Sequence, residues 1–248
     1  MNHSRPLCVT VIPLMIVFGL TALFARSSTM PPVDDVTTRA RQARDRGDVD
    51  GLESLLKSAH EEATRTGSLD SYIRIALFAD WLVEAAQDHQ NDKLVKRAAE
   101  EGVAAAETAV KLSPDSSEAH RLLGELLGEL IPHVFAGGIR YGERSTKEIE
   151  KAIQLDPRNP NAYVARATSY FFTPEKFGGS KEKAVDMLKK AIAAEPGSDA
   201  AQTAHVWLAV VYQSLGQKDN AVSEITQALK LNPERQFTQV AQKRILSK

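Results

Sequence analysis

The chain has 248 residues, enough for one large domain or a row of small units, and its 31 Lys and Arg nearly balance its 32 Asp and Glu. That balance offers no basic excess or basic face, so nucleic acid is not expected among its partners. Aromatic residues make up only 6% while Ala, Leu, Glu and Lys are plentiful, a mixture that favours helices.

The first predicted element, residues 1–26, is a targeting segment. Residues 6–25 carry no charge, follow Arg5 and are closed by Arg26. As a helix this run reaches about 30 Å, the thickness of a bilayer core. Two readings stand. A cleaved signal peptide would use Ala25-Arg26-Ser27 as a weak processing site; an uncleaved anchor explains the length but carries Pro13 in its middle. Either reading leaves the short Arg5-bearing flank in the cytoplasm and exports the body. The expected location is therefore the periplasm, or the inner membrane with the body outside, and the membrane is touched only through this segment. Cys8, the single cysteine, lies in it, so no disulfide can staple the rest.

After a linker at 27–33, residues 34–248 read as paired helices in units of about 34–66, 69–116, 117–159, 160–198 and 202–235, with a closing helix at 236–248. Four of the units end on similar strings: Ala109-Val-Lys-Leu-Ser-Pro114, Ala152-Ile-Gln-Leu-Asp-Pro157, Ala191-Ile-Ala-Ala-Glu-Pro196 and Ala228-Leu-Lys-Leu-Asn-Pro233. Each is the end of one helix and the turn before the next, because proline disfavours helix at the residue before it. Their prolines lie 43, 39 and 37 residues apart. In the first unit, Ala40, Ala43, Gly47, Leu52, Leu56 and Ala59 keep the same offsets in degenerate form. The second unit predicts helices near 71–87 and 92–112. The third begins at Leu123, Gly124 and Leu127, ends at Ile149 and Ala152, and carries an insertion around 132–142. The fourth holds Tyr163, Arg166, Ala167 and Tyr170, then Gly179, Ala184, Leu188 and Ala191, with an insertion at 173–180. Phe237, Val240, Ala241 and Ile245 recur at helical spacing in the closing helix, which covers the open face of the last unit.

The last unit is the most regular. With Gln202 as position 1, large residues His205, Leu208, Tyr212 and Ile225 fall at positions 4, 7, 11 and 24, and small ones, Ala209, Ala221 and Ala228, at 8, 20 and 27. Gly216 sits where the first helix, helix A, needs a left-handed cap before the second, helix B. This pattern resembles the tetratricopeptide repeat family. The resemblance implies an all-α, right-handed α-solenoid of helix-turn-helix repeats with a C-terminal capping helix. A narrower likeness rests on Gly137-Gly-Ile-Arg-Tyr-Gly142 and Phe177-Gly-Gly179. It is similar to bacterial exported relatives of the regulator-of-microtubule-dynamics family and, more distantly, to the T component of TRAP transporters. That likeness implies a curved body with a pore or groove and, in the T component, a hydrophobic ligand and a protein partner.

Catalytic and metal sites are not expected. Of His3, His60, His89, His120, His133 and His205, no pair has the spacing of a zinc-binding helix. His120 and His205 fall at position 4, a packing position. There is no nucleophile elbow and no phosphate loop, and the doublets Gly137-Gly138 and Gly178-Gly179 read as turns or helix caps. No cofactor is implied. What remains is a surface. Positions 2, 5, 9, 12 and 13 of helix A face the concave groove in this repeat family, and here they place an acidic centre between two aromatic ends. The candidate partner-binding residues are Trp81, Arg121, Glu125, Thr168, Phe171, Phe172, Val210 and Gln213, with Arg140 and Tyr141 from the insertion. The expected occupant is a protein or peptide; the rival is a hydrophobic small molecule in a closed apolar pocket.

Overall fold

The computed structural model describes residues 35–247, and within them every regular element is a helix. The segment read as signal or anchor lies outside the described residues; among those described, no helix is long and apolar enough to cross a membrane. Five helix pairs follow one another: α1 (Asp35–Asp45) with α2 (Val49–Thr66), α3 (Leu69–Asp88) with α4 (Asp92–Leu112), α5 (Ser117–Leu130) with α6 (Gly137–Leu155), α7 (Pro160–Phe172) with α8 (Lys181–Ala194), and α9 (Asp199–Ser214) with α10 (Lys218–Leu231). Helix α11 (Gln236–Leu246) closes the series.

Local chemistry sets the helix ends. Asp48, Ser68, Asn91, Ser116, Asn159, Ser180 and Ser198 each accept a backbone N–H three residues on, which satisfies donors that the first turn leaves free. Gly216 has φ +74°, the left-handed conformation expected after helix A. The pairs then meet where side chains are small. Ala184, Ala191, Ala221 and Ala228 are fully buried, as the repeat pattern requires. Gly124, at position 8 of the third unit, goes further: a Cβ there would stand 2.6 Å from Ile149 Cγ1 and 2.8 Å from the Ser145 carbonyl oxygen. The Ser145 hydroxyl uses that closeness to donate to the Gly124 carbonyl at 2.6 Å.

Two local expectations change. The insertion at 132–142 is largely helix. A short 3-10 turn, Ile131–His133, leads into α6, which starts at Gly137, so the inserted residues lengthen helix B. Gly137 is needed there because a Cβ would meet the Ile131 carbonyl oxygen at 2.2 Å. The histidines at position 4 are not plain core fillers either. His120 shares a hydrogen bond with Glu148 at 2.5 Å and another with the Pro114 carbonyl at 3.0 Å, and His205 pairs with Glu224 at 2.6 Å. Each ties helix A to helix B by a polar contact, since an imidazole in a packed seam needs partners for its nitrogens.

The larger departure is closure. The odd-numbered helices pack in series, α1 on α3, α3 on α5, α5 on α7, α7 on α9 and α9 on α11, and then α11 returns to pack on both α3 and α1. The right-handed solenoid thus completes a turn and meets itself. Arg44 at the end of α1 donates to both carboxylate oxygens of Asp199 on α9, at 2.6 and 2.8 Å. Arg235, at the start of α11, donates to Glu84 of α3 at 2.5 and 3.3 Å and to Thr203 at 2.8 Å. Asn232 adds a bond to Asp45 at 3.0 Å.

Candidate binding recess inside the ring

Closure turns an expected open groove into a recess walled by helices α3, α5, α7, α9 and α11. Burial varies along those helices. Near their N-terminal ends Ile73, Glu118, Arg121, Val164 and Val206 are all buried. One or two turns further on, Asp80, Glu125, Thr168 and Val210 are half-buried, and at the C-terminal ends Gln87, Phe172 and Ser214 are exposed. The recess is therefore more enclosed toward those N-terminal ends and opens toward the C-terminal ends.

One wall is acidic. Helix α3 presents Asp80, Glu84 and Asp88 at four-residue spacing, one face of a helix. Helix α5 adds Glu118, Glu125 and Glu129. Arg121 answers part of this charge: it donates to both oxygens of Glu118, at 2.6 and 2.9 Å, and to Glu125. Burial works to lower the Arg121 pKa, but Glu118 and Glu125 hold it well above its ordinary value. Gln87 donates to Glu129 at 2.5 Å and bridges the two helices. The carboxyls of this wall feel the enclosure. Burial, followed by the neighbouring Glu125, pushes Asp80 well above the usual carboxylate range. Burial, with Asp80 behind it, lifts Glu129 to about 7. Burial and then Glu84 lift Asp88 to about 6. Glu125 is also raised, by burial first, with Arg121 opposing.

The other wall is aromatic. Phe171 and Phe172 of α7 lie 6.3 and 5.6 Å from Trp207 of α9, and Trp207 lies 6.0 Å from Phe237 of α11 (ring-centre distances). Phe172 leaves 67% of its surface in solvent. The two walls meet at Arg235, whose guanidinium sits 5.3 Å from the Phe237 ring while it holds Glu84.

The structure thus gathers Arg121, Glu125, Thr168, Phe171, Phe172, Val210 and Gln213 around one recess. Thr168 turns its hydroxyl back to the Ala165 carbonyl at 3.0 Å, and Gln213 donates to the Arg244 carbonyl at 3.2 Å, tying α9 to α11. Trp81 is a correction: it is buried, stacked on Phe78 with the Arg44 guanidinium 5.0 Å from its ring, because α1 covers it. Arg140 and Tyr141 sit on the first two turns of α6, a helix that does not wall the recess, with Arg140 5.4 Å from the Tyr141 ring. Six participants escaped the sequence reading. Glu84 and Asp88 extend the face of Asp80 past position 13 and were readable from their spacing. Trp207 at position 6 and Phe237 in the closing helix lie outside the five groove-facing positions of helix A. Arg44 and Arg235 acquire their roles only through closure.

Alternating helices, small residues at the crossings and a continuous superhelical path define a helical-repeat solenoid. Comparison with known proteins agrees. Residues 203–235 match the tetratricopeptide repeat family model. Among solved structures, the chain is similar to TTC0263, a thermophilic TPR protein of Thermus thermophilus, at 18% identity and TM-score 0.60, over 86% of this chain and 100% of that one. It is also similar to the HusA haemophore of Porphyromonas gingivalis, at 20% identity and TM-score 0.50, over 82% of this chain and 97% of that one. No curated protein matches the sequence. Residues 203–235 thus carry a tetratricopeptide repeat, and the described chain shares the helical-repeat fold of these structures.

Proposed function

We propose that this chain is a non-catalytic interaction module of the cell envelope, and that a segment of a protein partner enters the recess between the acidic and aromatic walls. The uncharged run at 6–25 supports export. The observation that carries the binding reading is an aromatic row, open to solvent at Phe172, facing a carboxylate wall. Clustered aromatics with a ring exposed at the mouth of a recess are the usual anchors of a protein contact. The enclosed end favours this reading over a pocket for an apolar small molecule. Buried there is the Arg121–Glu118 ion pair, and an apolar ligand pushed against those ions would desolvate them without replacing their water. The carboxylates with raised pKa values fit the same picture, since a partner's cations would lower them again.

A photo-crosslinking residue at Phe172 in the full chain, expressed in its native envelope, tests the site. The expected product is a discrete adduct with a second protein, absent when the crosslinker replaces exposed Lys57 on α2. Equal adducts from both positions, or none from Phe172, would remove the recess as the binding surface. Protection of Lys243 from a membrane-impermeant label in intact cells, where labelling is expected, would overturn the envelope location.

A further inference from the structure

The recess is not neutral, and its charge states the chemistry of what fits it. Helices α3 and α5 bring Asp80, Glu84, Asp88, Glu118, Glu125 and Glu129 to the same space. The arginines that meet them are already engaged. Arg121 is held by Glu118 and Glu125, and Arg235 by Glu84. The third arginine of this region, Arg244, stands near Asp88 with its side chain on the exposed surface of α11. Asp80 shares the field of Arg121 with Glu118 and Glu125, and Glu129 is met by Gln87 and Asp80, so this pair keeps carboxylate charge to offer at the level where the recess begins to open. Further around the ring of helices, on α7, α9 and α11, lie Phe172, Trp207 and Phe237. An incoming apolar side chain finds rings on one side, and an incoming ammonium or guanidinium finds carboxylates on the other. The rings add to the second preference, because an aromatic face attracts a cation.

We infer that the partner segment is a basic amphipathic peptide, with a Lys or Arg set between Asp80 and Glu129 and an apolar side chain against Phe172 and Trp207. This inference rests on the recess being the binding surface, as proposed above, and adds the class of partner. Charge complementarity carries it: a neutral or acidic segment would leave those carboxylates enclosed with no compensating charge, and an acidic one would add repulsion.

The test uses the full chain and three synthetic peptides of about 12 residues, a length that spans a helix-binding groove. They have the same leucine pattern and carry Lys, Gln or Glu at the intervening positions. Binding is followed by calorimetry. The Lys peptide is expected to bind about tenfold more tightly than the Gln peptide at low salt, the order of one charge-assisted hydrogen bond, and the Glu peptide most weakly. The preference should shrink as salt is added. Glu129→Gln, close in shape to the native side chain, should bring the Lys peptide toward the Gln peptide. Phe172→Ala, on an exposed side chain, should weaken both equally. Thermal melts of both variants confirm that they fold. Spermidine, a cation without apolar side chains, should bind more weakly than the Lys peptide; equal binding would overturn the peptide class. If all three peptides bind alike and Phe172→Ala weakens each, the recess stands as the binding surface and the basic preference falls. If neither variant changes any binding, both readings fall.

Discussion

At the scale of single residues, the recess shows how one side chain answers to its surroundings. Glu129 lies on an exposed-looking helix end in the sequence, yet burial and Asp80 raise it from 4.5 to about 7. Its folded value therefore exceeds its unfolded one. The stability linked to it is fully present below about 4.5 and is lost as pH rises through about 7. Asp88 acts in the same sense, with a folded value of about 6. Between pH 5 and 8 the melting temperature should fall by roughly a few degrees. Glu129→Gln should remove part of that slope, leaving the share of Asp88 and Asp80. Thermal melts across this range check it; an unchanged slope in the variant would show that Glu129 does not titrate there. Asp199 has the opposite sense. Burial would raise it, but Arg44 and Arg235 hold it below the usual carboxylate range, so its contribution is lost only in acid.

At the scale of elements, each helix is held by the seam it shares with its neighbours, and the seams are not all one core. The apolar interior divides into a large N-terminal cluster running from Ala40 to Leu130, a middle one between α7, α8 and α9, and a C-terminal one in which Ala241 and Ile245 of α11 cover Val206, Ala209, Ile225 and Ala228. Repeat arrays of this kind divide their stability among neighbouring interfaces. Ile245→Asp, which buries an unpaired charge in the last cluster, should release α11 first. Amide exchange is expected to speed up in α11 and α10 while α3 and α4 stay protected. Uniform loss of protection would mean that the three clusters melt as one unit.

For the whole molecule, the deciding event is the meeting of the two ends. Arg44 is almost fully buried and reaches 155 residues along the chain to Asp199, and Arg235 reaches 151 residues back to Glu84. An arginine left in that seam without its partner, or a carboxylate without its arginine, is poorly solvated. Arg44→Ala should therefore open the ring: small-angle scattering is expected to show a larger radius of gyration at unchanged helix content, together with a lower melting temperature. Unchanged dimensions would show that the packing of α11 on α3 closes the ring by itself. Opening should also expose Trp81 to solvent, a red shift in emission that reports the same event.

The sequence by itself determined the helical pairs, their order and their crossings. Alanine at positions 20 and 27, glycine after helix A and proline after helix B act within one unit or between adjacent units, so a local pattern is enough to read them. It also located the α7 aromatics and the α5 charges of the recess, because they fall on one helix face. Only the tertiary structure decided that the ends meet and enclose the groove, that Trp81 is covered, and that Glu129 and Asp88 hold their protons above the usual carboxylate range. Those outcomes depend on small rotations between units accumulating over five repeats until α11 touches α3. No single repeat encodes that sum, because each residue in it is chosen against its nearest neighbours alone.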